Sequence, residues 1–134
     1  MSGVQSVNLS PGLDRTGRAC ACVVHDGLVL MVAVKSERWT LPGGGIKPGE
    51  TAAGAAVREA WEECGAHVVV EGTGFAVTSP ESGETRLIFL ARLVRQESSP
   101  EGRKHCWIDP TELPWCGDYQ LAPALRVMRE RDWL

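Results

Sequence analysis

Between Gly44 and Ala66 the chain reads GGIKPGETAAGAAVREAWEECGA, and no other stretch restricts it as tightly. Gly43-Gly44-Gly45 followed by Pro48-Gly49 is expected to form a loop without regular structure. Thr51 is a suitable N-cap, Ala52 to Cys64 is helix-prone despite Gly54, and Gly65 is placed to end the helix as its C′ residue. At roughly 100° per residue, Glu59, Glu62 and Glu63 share one arc of that helix. Ala53, Val57, Ala60, Trp61 and Cys64 share the opposite arc, which is the expected core face. The helix supplies one cation, Arg58, four residues before Glu62 and able to orient it. Carboxylates packed this densely repel one another unless a divalent cation neutralises them. A metal site is therefore expected beside a glycine-lined loop whose backbone can approach phosphate.

With 134 residues the chain is long enough for one domain with a real core. A lead-in over residues 1–15 and a single domain over 16–134 are expected. The formal charge of −3 gives no support for a nucleic-acid partner, and no apolar run approaches the roughly 20 residues that span a bilayer. The opening residues lack the apolar middle of a secretory signal, which points to the cytoplasm. Five scattered cysteines, Cys20, Cys22, Cys64, Cys106 and Cys116, show no zinc or redox spacing and read as small buried side chains.

Two apolar runs, Arg18 to Val24 and Leu28 to Val34, flank His25-Asp26-Gly27, a hairpin signal. Trp39 to Leu41 is a short extended piece. Val68 to Glu71 and Thr73 to Val77 read as one bent strand system, Thr85 to Val94 as the central strand, and Lys104 to Ile108 as a further one. Pro110 to Leu113 starts a small turn or helix, and Leu121, Leu125 and Met128 form a helical stripe. The expected class is α+β.

The pattern G-x5-E-x7-R-E-U-x-E-E-x-G-U, with U aliphatic, is the signature of Nudix hydrolases. This chain resembles it through Gly44, Glu50, Arg58, Glu59, Glu62, Glu63 and Gly65, with Ala60 and Ala66 at the U positions. The resemblance implies the Nudix fold, an α/β/α sandwich with a mixed central sheet and a catalytic loop-helix-loop. It also implies hydrolysis of a nucleoside diphosphate linked to a further group, with Mg2+ or Mn2+ as cofactor. By similarity Glu59 and Glu63 are metal ligands, together with the carbonyl of Gly43. Glu62 is the expected general base, with Glu59 as the alternative, while Glu50 supports the loop or a second cation.

Outside that box, GRACACVV, RWTLPGGGIKPGE and GRKHCWID are similar to diphosphoinositol and diadenosine polyphosphate phosphohydrolases. In that branch basic residues grip a polyphosphate. The candidates here are Arg18, Lys35, Arg86, Arg103 and Lys104, with Gly44 and Gly45 contributing backbone. The loop Ser79 to Glu84 carries acids where that branch is basic, which brings in nucleotide substrates. Trp39, Trp107 and Trp115 are candidate base-stacking residues. Oxidised nucleoside di- or triphosphates and nucleotide sugars are alternative substrates, and a non-catalytic nucleotide sensor is the alternative class. The expected partner is a small phosphate-rich molecule, bound by a monomer or homodimer.

Overall fold

The computed structural model describes residues 17–34, 38–111 and 120–134, and the backbone of 4–6. Lys35, Trp115, Cys116 and Tyr119 lie outside the described residues. The strands are β1 (Val4–Ser6), β2 (Arg18–His25), β3 (Leu28–Val34), β4 (Arg38–Thr40), β5 (Gly43–Gly45), β6 (Ala66–Val70), β7 (Phe75–Thr78), β8 (Thr85–Gln96) and β9 (His105–Ile108). The helices are α1 (Ala52–Cys64) and α2 (Leu121–Glu130).

These strands form one sheet in the order β1-β7-β8-β2-β3-β4, with β5 beside β2, β6 beside β8 and β9 beside β3. Only β2 and β8 run parallel among the described strand pairs, so the sheet is mixed, as expected. Alternate residues of those two strands feed two cores. Ala19, Ala21, Val23, Leu87, Phe89 and Ala91 join the cluster under α1. Cys20, Cys22, Val24, Ile88 and Leu90 join the cluster with Leu121, Ala124, Val127 and Met128 of α2. Burial on both faces explains why these strands read as continuous apolar runs. Each fully buried Leu, Ile or Phe contributes on the order of 1.5–3 kcal/mol.

Local signals fix the turns. Asp26 (φ 51°) and Gly27 (φ 74°) both adopt positive φ, the type I′ geometry that joins β2 to β3. The bent strand expected over 68–77 is two strands: β6 and β7 pair in succession with the same edge of β8, and β6 bulges at His67/Val68. Val4–Ser6, within the expected lead-in, pairs antiparallel with β7. Among the described residues, no helix is long and apolar enough to cross a membrane.

Two expectations need correction. Gly43–Gly45 is not irregular; it is a strand in register with β2, with Cys20 opposite Gly43 and Arg18 opposite Gly45. Glycine is required because a Cβ on Gly43 would come within 2.6 Å of the Ala19 carbonyl. The buried face of α1 is also rotated from the expected one. Ala52, Ala55, Ala56, Ala60, Glu63 and Cys64 are buried, whereas Trp61 is exposed and packs on His67 at 6.4 Å between ring centroids. Small alanines let the helix sit close to the sheet, and that brings Glu63 inside with them.

Candidate active site

The β2–β3 hairpin pairs only at its tip, through Val24–Val29 and His25–Leu28. Beyond it β2 turns to β5, while β3 turns to β4 and β9. A pocket of about 320 Å3 lies in this splay. Arg18, Arg38, Arg86 and Arg103 line it, together with the apolar Val32, Val34, Trp39 and Leu41, and with Gly43 and Glu63.

Helix α1 is held at both ends. Thr51 accepts a hydrogen bond from the Gly54 N–H at 2.9 Å, and Gly65 adopts the left-handed conformation (φ 66°) that caps the helix. A Cβ on Gly65 would lie 2.0 Å from the Glu97 carbonyl oxygen, so glycine is obligatory there on two counts. These caps fix the position of the glutamates along the edge of β5.

Arg58 sits among three carboxylates. It donates to Glu50 (Nε, 2.7 Å; Nη2, 3.0 Å), to Glu59 (2.6 Å) and to Glu62 (2.9 Å), and also to the Gly45 carbonyl (3.0 Å). Glu50 in turn accepts from the Lys47 N–H at 3.1 Å. Its hydrogen bonds to Arg58 hold its carboxyl below the usual range, with the Lys47 N–H helping. Glu50 thus ties loop to helix.

Glu63 has a different environment. Its side chain is 7% exposed; Oε1 accepts from the Gly43 N–H (3.2 Å) and Oε2 from Arg103 (3.1 Å). Burial, followed by a hydrogen bond to Glu59 and repulsion from it, pushes the Glu63 carboxyl up to about 8, against the opposing pull of Arg103 and the Gly43 N–H. A carboxyl raised this far holds a proton at neutral pH. A divalent cation can take that proton's place, so the Glu59–Glu63 donor pair fits a hard metal ion. Gly44 fits the same reading, since a Cβ there would fall 2.7 Å from Glu59 Oε2. Among the described residues no three acidic, His or Cys side chains converge in a cage. The pair would need oxygen donors from backbone, water or substrate to complete a coordination shell, as Mg2+ sites usually do.

The structure brings together most, not all, of the expected residues. Arg18, Gly43, Glu63, Arg86 and Arg103 line one pocket. Gly44 abuts Glu59, and Gly45 offers its carbonyl to Arg58. Glu59 and Glu62, expected in the site, are not on the pocket lining; Arg58 bonds both. The Lys104 side chain is exposed and outside the lining. Arg103, expected to clamp substrate, also bonds Glu63 and the Ala33 carbonyl (3.3 Å). Arg38 and Thr40 were not among the expected site residues. No local pattern singles them out: four consecutive residues, Arg38 to Leu41, line the pocket.

The NUDIX domain matches residues 15–130 of this chain. The chain belongs to the Nudix family. Human (Homo sapiens) diphosphoinositol polyphosphate phosphohydrolase 3-alpha is 45% identical over 120 residues, covering 86% of this chain and 60% of that protein. The 8-oxo-dGDP phosphatase NUDT18 of Homo sapiens is 34% identical over 99 residues, covering 67% of this chain and 30% of that protein. The chain therefore spans less than two thirds of either curated relative. Among solved structures, a Nudix hydrolase from Nitrosomonas europaea superposes with a TM-score of 0.69 at 26% identity, over 88% of this chain and 72% of that one. An ADP-ribose pyrophosphatase from Streptococcus suis superposes at 0.68 with 21% identity, over 86% and 92%, a likeness of fold. The Nudix α/β/α sandwich is thus the fold of this chain, and divalent-metal use is general in its family.

Proposed function

We propose that this Nudix domain hydrolyses a pyrophosphate bond in a nucleoside polyphosphate or a related polyphosphate, of the diadenosine or diphosphoinositol polyphosphate type, with Mg2+ or Mn2+. One observation carries this reading: the buried Glu63 carboxyl lines the same pocket as four arginines. Carboxylates that want a cation stand next to cations that want phosphate. The 45% identity to a diphosphoinositol polyphosphate phosphohydrolase supports the polyphosphate class.

Glu59, Glu63 and the Gly43 carbonyl would hold the metal, which when bound neutralises phosphate oxygens and activates water. The arginines bind and orient the phosphate chain. Glu62, positioned by Arg58, takes the proton as a water oxygen bonds to phosphorus and the bridging P–O bond breaks. Glu59 is the alternative base. The apolar wall with Trp39 favours a nucleoside at the non-phosphate end of the substrate, because a base can stack where a polyhydroxylated ring would lose hydration. Oxidised nucleoside phosphates, as named for the NUDT18 relative, fall within that group. We read the protein as cytoplasmic.

The test is phosphate release from a panel of diadenosine polyphosphates, inositol pyrophosphates, nucleoside di- and triphosphates and nucleotide sugars. Mg2+ and Mn2+ are compared, and Glu63→Gln is the inactive control. Turnover of at least one phosphoanhydride, abolished in the variant, is expected. Binding without turnover in the parent would favour a sensor.

A further inference from the structure

Arg18 and Arg86 are direct register partners on the parallel strands β2 and β8. Neighbouring strands lie about 4.8 Å apart, so both guanidinium groups leave the same face and enter the same pocket. One carboxylate meets both. Glu84 Oε1 lies 2.6 Å from Arg86 Nε and 3.9 Å from Arg18 Nε.

Glu84 is held in place by its own loop. Its carbonyl accepts from the Ser79 N–H at 2.8 Å, and its N–H donates to Ser82 Oγ at 3.2 Å. Ser79 Oγ in turn accepts from the N–H groups of Glu81 and Ser82 at 3.3 Å. The hydrogen bond from Arg86 keeps the Glu84 carboxyl below its ordinary range, so it is charged at neutral pH. The side chain is still 43% exposed. Arg18 is 47% and Arg86 23% exposed, and ion pairs open to solvent are weak and screened by salt.

Resting on the phosphate-binding reading above, we infer that Glu84 is a specificity residue: a tethered anion that occupies the Arg18–Arg86 pair and must yield to a substrate phosphate. Engaging this pair requires displacing Glu84, so the benefit of an additional phosphate is reduced. The pocket is thereby tuned toward shorter, less charged phosphate chains and away from the most highly charged polyphosphates. Removing the carboxylate should shift preference toward the longer anion, and the shift should fade as salt screens the pair.

The experiment titrates the full chain, with Mg2+ in fixed excess, with two carbon-bridged phosphonates that cannot be hydrolysed: methylenebisphosphonate and its three-phosphorus homologue. Parent, Glu84→Gln and Glu84→Asp are compared by calorimetry, with thermal melts confirming that all three fold. Glu84→Gln should bind the three-phosphorus ligand about threefold to fivefold tighter, with a smaller gain for the bisphosphonate, and Glu84→Asp should lie nearer the parent. Equal affinities in parent and Glu84→Gln, or an equal gain for both ligands, would overturn the inference while leaving the phosphate pocket standing. Failure of every protein to bind either ligand would instead bring down the proposed function.

Discussion

The corner where α1 meets β5 and the rim where β2 meets β8 both gather opposite charges, but they do so on different terms. At the corner the partners are at least half enclosed: the side chains of Arg58, Glu59 and Glu63 are 18%, 13% and 7% exposed. Backbone groups of β5 complete their hydrogen bonds. At the rim, the Arg18, Glu84 and Arg86 side chains are 47%, 43% and 23% exposed, with the Glu84 backbone anchored in its own loop. Removing one partner from an enclosed network strands the others without water, whereas an exposed pair loses little. Corner substitutions should therefore act on chemistry for every substrate, and rim substitutions on substrate choice.

The sharpest way to break that contrast is at the corner. Glu62→Gln should lower kcat by roughly 100-fold to 10,000-fold, the range for loss of a general base, with KM little changed for all substrates. An unchanged kcat in Glu62→Gln would take the role from Glu62 and leave Glu59 as the alternative base. Gly44→Ala places a methyl group where Glu59 now lies and should weaken Mn2+ binding about 10-fold to 100-fold in a protein that still folds. Unchanged metal affinity by titration calorimetry would separate Gly44 from the metal site.

How much of this was legible beforehand follows the same division. The corner is built from near neighbours in sequence, so offsets such as Arg58–Glu62 and the glycine at Gly65 carry their geometry with them. The class of fold, the β2–β3 turn and both helices were readable for that reason. The facing of α1 was not. Trp61 looks like a core residue by type, but the backbone of β5 draws Glu63 inward and four alanines set the close packing. Gly43–Gly45 looked like a loop because glycine is a poor strand former, and only the crowding by β2 shows why it is a strand. The rim was least legible, because Arg18, Arg86 and Glu84 meet through a strand register that no local pattern encodes.

Smaller effects sharpen the comparison further. Arg58→Ala should cost about 1–3 kcal/mol and lower Tm by several degrees, as Glu50, Glu59 and Glu62 lose their shared donor. A Tm within one degree of the parent would show that water replaces Arg58 freely (roughly the surface-pair limit). In the metal-free protein, stability should also fall as pH rises. The folded Glu63 carboxyl titrates near 8 and the unfolded one near 4.5, so its contribution is complete below about 4.5 and lost as pH climbs through 8. Melts from pH 5 to 9 should show that decline in the parent and a flatter profile in Glu63→Gln; parallel profiles would count against the buried, protonated Glu63.

Glu59 and Glu63 should together take up a metal ion in place of the proton that burial keeps on Glu63. Anomalous diffraction at the manganese absorption edge, from crystals grown with Mn2+, tests this most directly. A peak bound by both carboxylates beside Gly43 is expected; a peak elsewhere, with Glu59 and Glu63 free of metal, would contradict the metal site.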